Sequence, residues 1–337
     1  MFGCSMRIGH TSKKIGNKRK DNRGIRMKKT VIAIVGPTAV GKTKLSIEVA
    51  KQVNGEIISG DSMQVYKNMD IGTAKVTKQE MHGVPHHMID TKEPNEDYSV
   101  AEFQHDVQAS INEIISRKRV PIIVGGSGLY IQAALYNYHF TEKKRDHKIT
   151  DQLENTITNE GIMPLFNRLK EVDPEQAAKI HPNNHRRVIR ALEIYETTGK
   201  TMTASQQEQS HQSPYNIVSI GLAMDRTLLY NQINHRIDLM VKDGLLNEVK
   251  NLYEQGYEDC QSMRAIGYKE FLPYFKGEQS LERSIELLKR NSRRYAKRQY
   301  TWFKNKMDVH WYTLTPSTID ECFETILRNL AGLLKDR

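Results

Sequence analysis

The residues with the clearest chemical potential lie between positions 36 and 43. The sequence there reads Gly-Pro-Thr-Ala-Val-Gly-Lys-Thr, which fits the G-x-x-x-x-G-K-[ST] pattern of a phosphate-binding loop. The backbone N–H groups of such a loop converge on a phosphate, the lysine adds positive charge, and the hydroxyl suits Mg²⁺. We predict a phosphate or nucleotide site formed by Gly36, Pro37, Thr38, Ala39, Val40, Gly41, Lys42 and Thr43, with Thr43 as the Mg²⁺ ligand.

A carboxylate is the second candidate group, because phosphate loops normally work with a nearby strand that ends in an acid. The apolar run at residues 120–124 leads into a glycine-rich stretch without one, whereas Asp61 follows a short predicted strand at residues 56–59. Ligands bind at the carboxyl ends of parallel strands, so Asp61 and Ser127 should face the phosphate loop. Asp61 is therefore a candidate general base, and a helix or turn cap is the alternative interpretation.

The elements that must position these residues are those of an α/β fold. Residues 30–35 form a continuous β-branched run, which suits a central parallel strand, and residues 44–53 are amphipathic and end at Asn54 and Gly55 as a helix does. We expect a P-loop NTPase-like parallel sheet flanked by helices. This core should comprise residues 27–140 and 213–337, including C-terminal helices.

A helical insertion is predicted between the two parts of the core. Residues 165–170, 174–180 and 184–196 have helical periodicity, and no clear strand occurs between residues 151 and 212. We therefore assign residues 141–212 to an all-helical domain. On its last helix, which should begin at Asn183 or Asn184 and end at Gly199, Arg186 and Arg190 share one face.

Net charge is concentrated in two segments. The chain of 337 residues has a formal charge of +10, but residues 1–26 hold eight basic residues and one acid, leaving little excess elsewhere. We predict that this leader is disordered and is neither a secretory signal nor an anchor, and we hypothesise that Met27 is the natural start. With no apolar run of membrane-spanning length and three scattered cysteines, we expect a cytoplasmic protein that does not insert into membranes.

The other basic segment spans residues 289–306, which contain eight Lys or Arg, no acid and four aromatic residues. On a helix, these charges could follow a phosphate backbone. The aromatic residues could stack on bases, although core packing is the favoured interpretation for Trp302 and Phe303. His82, His86 and His87 could suggest a metal site, but no third ligand type has suitable spacing and a structural loop is favoured.

Eight ordered blocks resemble one protein family. They are DSMQVY with MDIGTAK (61–66 and 69–75), GVPHH (83–87), PIIVGGSGLY (121–130), RVIRALE (187–193), RIDLM (236–240), RAIGY (264–268) and AKRQYTWF (296–303). The chain from Met27 onwards closely resembles the bacterial type of tRNA dimethylallyltransferases, which prenylate an adenosine next to the anticodon. Ser127 stands where threonine is commoner in the family, and the hydroxyl is kept.

The resemblance implies transfer of a dimethylallyl group from dimethylallyl diphosphate to N6 of adenosine 37 in tRNA, by a predicted monomer with Mg²⁺ as cofactor. Lys42, Thr43 with its Mg²⁺, and Arg236 would stabilise the leaving diphosphate, and Asp61 would accept or orient the amine proton. The insertion would clamp the anticodon stem-loop. The residues implied to contact tRNA are Asp61, Ser62, Met63, Gln64, Ser127, Arg186, Arg187, Val188, Ile189, Arg190, Arg264, Gly267, Tyr268, Lys269, Lys297, Arg298, Gln299, Trp302 and Lys304.

Three other functions use parts of the same pattern. A related enzyme that prenylates free adenine nucleotides, or a small-metabolite kinase, would use the phosphate loop but would not need the basic aromatic segment. A non-catalytic RNA-binding NTPase would use the charge but leaves Asp61 unexplained. We rank these below tRNA prenylation.

Overall fold

A six-stranded parallel sheet forms the core of the protein. The computed structural model describes residues 28–136, 138, 140, 147–209 and 212–335, so the predicted leader and Met27 lie outside the described residues. The strand order is β3-β2-β4-β1-β5-β6, and every adjacent pair is parallel. The strands are β1 (Thr30–Val35), β2 (Gly55–Ser59), β3 (His86–His87), β4 (Val120–Gly125), β5 (Asn216–Met224) and β6 (His310–Leu314). The predicted α/β fold class is confirmed.

The strand order explains why the candidate residues meet. Strand β1 lies between β4 and β5 and is almost completely buried, as its apolar sequence predicts. The loops that follow β1, β2 and β4 leave the same edge of the sheet. Hydrogen bonds from the Gly60 N–H to the Val124 carbonyl (2.7 Å) and from the Ser127 N–H to the Gly60 carbonyl (3.3 Å) join the last two loops.

The helices of the core begin and end where local sequence provides a cap. Helix α1 (Lys42–Val53) ends at Asn54 in the left-handed conformation, and α2 (Val100–Ser116) begins with a capping box between Ser99 and Glu102. The other α-helices of the described core are α3 (Gly128–Tyr136), α9 (Arg226–Lys242), α10 (Leu245–Glu254), α11 (Leu272–Phe275), α12 (Leu281–Lys306) and α13 (Ile319–Lys335), and a short 3-10 helix spans Ser262–Arg264. No helix in the described part of the chain is long and apolar enough to cross a membrane.

Five helices occupy the region where the sequence predicts an insertion. They are α4 (His147–Glu160), α5 (Met163–Val172), α6 (Pro174–Lys179), α7 (His185–Thr198) and α8 (Met202–Gln207). Their apolar residues form a cluster separate from that of the sheet, centred on Leu169 and Leu192. Asp173 joins α6 to α8, because its carboxylate accepts hydrogen bonds from the Thr203 N–H (3.0 Å) and hydroxyl (2.6 Å). The ends of the predicted 141–212 domain at residues 141–146, 210 and 211 lie outside the described residues.

Helix α7 carries one block of the residues predicted to contact tRNA. It begins after Asn184 and ends at Gly199, as predicted. Val188 and Ile189, however, are 0% and 4% exposed and pack in the separate cluster. Contact between these two residues and tRNA stays a prediction. The apolar stripe that stabilises a helix necessarily turns inward, and only the arginines of this block, Arg186, Arg187 and Arg190, are exposed.

Candidate active site

The phosphate loop connects β1 to α1 in the conformation that its glycines allow. Gly36, Ala39 and Gly41 all have positive φ angles, at 146°, 65° and 102°. Helix α1 begins at Lys42, so the loop ends at a helix N-terminus, where N–H groups and the helix dipole favour anions. The loop therefore has the backbone geometry of an anion site.

Lys42 points back into this loop. Its Nζ donates hydrogen bonds to the carbonyls of Gly36 (3.0 Å) and Pro37 (2.7 Å). Burial lowers the pKa of Lys42 to about 7, repulsion from Arg236 adds to the decrease, and Asp61 opposes it. A diphosphate would supply negative charge where the loop now offers only carbonyl oxygens, so its binding should restore the charge of Lys42.

Asp61 follows β2, where it caps a turn and also lines two cavities. Its Oδ1 accepts a hydrogen bond from the Met63 N–H (2.9 Å), so the alternative interpretation as a turn cap is correct for one carboxylate oxygen. The residue also lines two cavities. Burial raises the pKa of Asp61, although the Met63 N–H and the charge of Lys42 act in the opposite direction. A carboxylate with a raised pKa is a better proton acceptor than an exposed one.

Two cavities meet at Asp61. The first, of about 560 Å³, contains the phosphate loop, and the second, of about 300 Å³, is lined largely by apolar side chains such as Ile233, Ile237 and Leu288. A ligand bound to the phosphate loop could thus contact a second ligand directly. The residues that line both cavities are Thr38, Ala39, Asp61, Thr73, Ala74, Arg236 and Tyr295.

Helices α9 and α12 complete this junction. Arg236 reaches it from α9, and its burial lowers the pKa of the guanidinium. Tyr295 reaches it from α12, and burial, followed by the charge of Asp61, raises the pKa of its hydroxyl to about 12. Sequence reasoning missed Tyr295, although its position four residues before Gln299 places both on one helix face.

Gln299 joins α12 to the phosphate loop. Its Oε1 accepts a hydrogen bond from the Thr38 N–H (2.9 Å), and the residue is 4% exposed. The family resemblance implies that Gln299 contacts tRNA, and the structure places its side-chain amide against the phosphate loop. The helix that carries the basic segment is therefore in direct contact with the phosphate loop.

Several other predicted tRNA contacts are buried. Ser127 is 7% exposed and its Oγ accepts a hydrogen bond from the Ser62 N–H (3.3 Å). Tyr268 is 0% exposed, and the Gly267 N–H donates a hydrogen bond to Glu270 (2.9 Å). Contact between these two residues and tRNA stays a prediction. Trp302 is half-buried against Gly128. The charged members of these blocks, Arg264, Lys269, Lys297, Arg298 and Lys304, are exposed.

Ser62, Met63 and Gln64 form the short segment after Asp61, and all three are half-buried. Gln64 is held from both ends, since its Oε1 accepts from the Ser59 hydroxyl (2.7 Å) and its Nε2 donates to the Thr73 carbonyl (3.2 Å). Ser62 and Met63 line the second cavity.

The basic segment of α12 is less unbalanced than its sequence indicates. Lys289 forms an ion pair with Asp238, and Arg293 donates to the Asn234 side chain (2.6 Å), both on α9. These partners lie more than fifty residues earlier in the chain, so local composition could not reveal them. The exposed basic residues of the segment are Arg294, Lys297, Arg298, Lys304 and Lys306.

The three histidines considered as metal ligands have different surroundings. His87 Nε2 lies 2.6 Å from Oε2 of the buried Glu56, and His86 Nδ1 lies 2.8 Å from the Val84 carbonyl. His82 and His86 line the first cavity. Within the described residues, no group of three or more His, Cys, Asp or Glu side chains could hold a metal ion.

Comparison with known proteins places this site in a family. The profile described as IPP transferase matches residues 64–306. The tRNA dimethylallyltransferase of Oceanobacillus iheyensis is 60% identical over 311 residues, which cover 92% of this chain and 99% of that enzyme. The chain belongs to the IPP transferase family. A second relative, the tRNA dimethylallyltransferase of Bacillus cytotoxicus, is 56% identical over 92% of this chain and 97% of its own length.

Solved structures of family members agree in fold. The tRNA isopentenylpyrophosphate transferase of Bacillus halodurans superposes with a TM-score of 0.70 at 51% identity, covering 92% of this chain and 97% of that one. A eukaryotic dimethylallyltransferase captured acting on tRNA gives a TM-score of 0.74 at 35% identity, covering 86% of this chain and 75% of that chain. The predicted family resemblance is confirmed.

Proposed function

We propose that this IPP transferase family member transfers the dimethylallyl group of dimethylallyl diphosphate to N6 of adenosine 37 in the anticodon loop of tRNA. The observation that carries the proposal is the junction of the two cavities at Asp61, between an anion-binding loop and an apolar recess. A diphosphate in the first cavity and an extruded base in the second would bring the allylic carbon and the amine together. Loop bases leave their stack more easily than paired ones.

The leaving group would be stabilised by positive charge on two sides. Lys42 and Arg236 both line the first cavity and reach it from different elements. As the C–O bond breaks, negative charge grows on the diphosphate, and fixed cations stabilise that charge without reorganising. Charge stabilisation by Lys42 and Arg236 does not require the carboxylate that ATP-hydrolysing enzymes carry at the end of a strand near the phosphate loop.

Mg²⁺ fits this site through Thr43. The residue lines the first cavity beside Lys42, and Mg²⁺ commonly takes one or two protein ligands and completes its shell with water and substrate phosphates. Thr43 would hold the ion, which would supply further charge stabilisation to the diphosphate when bound.

The N6 amine of adenosine is a poor nucleophile, and Asp61 would assist its attack. With Oδ1 bound to the Met63 N–H, the carboxylate is held in one orientation at the cavity junction. Its raised pKa suits a group that accepts a proton from the amine as the N–C bond forms. The Tyr295 hydroxyl keeps its proton near neutral pH and would act only as a neighbouring dipole.

The exposed basic residues would bind the tRNA backbone. Lys297 and Arg298 lie on α12, and Arg186 and Arg187 extend from the helical insertion. Arg264 and Lys269 flank, in the chain, residues 265–267, which line the second cavity. Guanidinium and ammonium groups bind phosphates with a strong dependence on salt. The monomeric state and the cytoplasmic location remain predictions.

Incubation with dimethylallyl diphosphate, Mg²⁺ and unmodified tRNA tests the proposal directly. Digestion of the tRNA and mass spectrometry should detect dimethylallyl adenosine, located at position 37 by sequencing of the fragments. Parallel reactions with AMP or with ATP and small metabolites serve as controls. Prenylated AMP without prenylated tRNA would favour the free-nucleotide enzyme, and RNA-stimulated ATP hydrolysis alone would favour an NTPase.

A further inference from the structure

One carboxylate outside both cavities makes an unusual set of hydrogen bonds. Glu248 on α10 accepts from three consecutive backbone N–H groups, those of Asp70 (2.9 Å), Ile71 (2.8 Å) and Gly72 (3.0 Å). Its Oε1 also accepts from the Tyr268 hydroxyl (2.6 Å). A carboxylate oxygen shared between two donors ties those donors to one point.

The two groups tied at Oε1 belong to two different walls of the second cavity. Gly72 continues into Thr73 and Ala74, which line both cavities, and Tyr268 directly follows residues 265–267, which line the second cavity. Glu248 itself lines neither cavity. Glu248 therefore connects the two wall segments from a position outside the cavity lining.

Close packing makes this connection sensitive to position. A Cβ on Gly72 would come within 2.5 to 2.7 Å of three Tyr268 side-chain atoms, so the glycine lies directly against the phenol ring. Tyr268 is 0% exposed, and its hydroxyl has no water to replace Glu248 if that contact is lost. The tyrosine and the glycine thus form a rigid contact, with Glu248 as its polar anchor.

The anchored segment also reaches Asp61. Gln64 Nε2 donates to the Thr73 carbonyl (3.2 Å) and the Ala74 carbonyl (3.3 Å), and Gln64 lies three residues after Asp61. Displacement of residues 72–74 would move the junction of the cavities and the support of the Asp61 turn together. Misplacement of reacting groups by about 1 Å can reduce a rate by about 100-fold.

From these contacts we infer that Glu248 and Tyr268 are positioning residues, which fix residues 72–74 against residues 265–267 and thereby set the geometry of the second cavity around the acceptor base. The inference rests on the proposed function. It assigns Tyr268 a role in holding the site rather than in touching tRNA, and it gives Glu248 a role that neither motif nor composition indicated.

Glu248→Gln is the main test, because the side chain keeps its size while one oxygen becomes an NH₂ group that cannot accept from a backbone N–H. We expect kcat for tRNA prenylation to fall by about 10- to 100-fold while the Kd for tRNA changes by less than about threefold. Tyr268→Phe should give a smaller decrease of about 3- to 10-fold, because Gly72 keeps its bond. Glu254→Gln is the matched control, since that exposed α10 carboxylate pairs with Lys250 at 3.5 Å.

Hydrogen exchange of the backbone provides a readout that is independent of activity. In Glu248→Gln, the amides of residues 70–72 should exchange at least about tenfold faster than in the wild type, whereas the amides of β1 should not change. Circular dichroism confirms that the variants are folded at the assay temperature. A failure of the proposed function would appear as an inactive wild-type protein and would leave this exchange result intact.

Two results would overturn the inference. If folded Glu248→Gln and Tyr268→Phe both retain kcat within about twofold of the wild type, these residues stabilise the fold without positioning the site. If exchange at residues 70–72 is unchanged in Glu248→Gln, the carboxylate does not hold this segment in solution.

Discussion

Asp61 combines a turn cap with a position at the junction of the two cavities. Its Oδ1 caps the Met63 N–H, and the same carboxylate faces the junction of the cavities. The cap keeps the group in place without a second charged partner, and burial raises its pKa. The structural and the chemical interpretations of the sequence are therefore compatible, because each uses a different property of the carboxylate.

Replacement of Asp61 separates these two properties. Asp61→Asn keeps an oxygen that can cap the Met63 N–H but removes the proton acceptor, and Asp61→Ala removes both. We expect single-turnover prenylation to fall by about 10²- to 10⁴-fold in both variants, with tRNA affinity within about threefold of wild type. Near-wild-type turnover of Asp61→Asn would remove this residue from the role of base.

Lys42 should make diphosphate binding depend on pH. Its pKa of about 7 in the free protein means that it is mostly neutral at higher pH, and a bound diphosphate should restore its charge. Below pH 7 the lysine is charged in both states and contributes no proton uptake. Above pH 7 binding should take up close to one proton at Lys42, and affinity should fall by as much as about tenfold per pH unit.

Titration calorimetry with inorganic diphosphate, in buffers of different ionisation enthalpy at about pH 8.5, measures this uptake. Lys42→Arg is the control, because arginine stays charged. Proton uptake by the diphosphate itself occurs with both proteins, so it cancels when the two are compared. Equal proton uptake by the two proteins would mean that Lys42 is already charged before the ligand binds.

Helix α12 acts as an element with two faces. Tyr295 and Gln299 point to the site, where Gln299 bonds the Thr38 N–H, while Lys297 and Arg298 are exposed. A helix with 3.6 residues per turn places these pairs on different sides within a single turn. Binding of tRNA to the exposed face would thus occur on the same rigid element that supports the phosphate loop.

The exposed face of α12 should account for part of the salt dependence of tRNA binding. Lys297→Ala and Arg298→Ala should each reduce the slope of log K against log salt by about 1, because each removes one phosphate contact. Arg283→Ala is a suitable control on the same helix, as Arg283 is exposed and pairs with Glu286 at 2.6 Å. Fluorescence anisotropy between low and moderate salt measures the slopes, and unchanged slopes would exclude these phosphate contacts.

The elements show where sequence reasoning succeeds and where it stops. Strand β1, helix α1 and both ends of α7 follow from local apolar periodicity and caps, and the structure has them where predicted. The pairing of Lys289 with Asp238, by contrast, depends on which element packs opposite. Tyr295 and Glu248 escaped notice for the same reason, since their partners are distant in sequence.

At the scale of the whole molecule, one buried charge holds the edge of the sheet. Glu56 on β2 is 2% exposed and binds Arg117 at the end of α2 (2.7 Å), with Arg119 (3.3 Å) and His87 on β3 (2.6 Å) as further partners. Strand β3 has only two residues and lies at the sheet edge, so this cluster supplies much of what fixes it. The adjacent His86 lines the first cavity, which links the stability of this edge to the site.

Removal of the Glu56 charge should destabilise the protein in a pH-dependent way. Burial raises the pKa of Glu56, but the bonds from Arg117 and His87 outweigh it and the net pKa is lowered. A carboxyl group whose pKa is lower in the folded state stabilises the fold above its unfolded pKa, and this contribution is lost as pH falls through the folded pKa. Glu56→Gln should therefore cost about 3 kcal/mol at neutral pH and progressively less below about pH 4.5.

Urea unfolding of Glu56→Gln and wild type at several pH values measures this difference. Glu113→Gln provides the matched control, because Glu113 also binds Arg117 but is 64% exposed, and its loss should cost less than about 1 kcal/mol. A cost for Glu56→Gln that stays constant between neutral and acidic pH would mean that side-chain packing, and not the ionised carboxylate, stabilises this edge. If both variants cost the same at neutral pH, burial would not distinguish the two ion pairs and the charge cluster would not anchor β3.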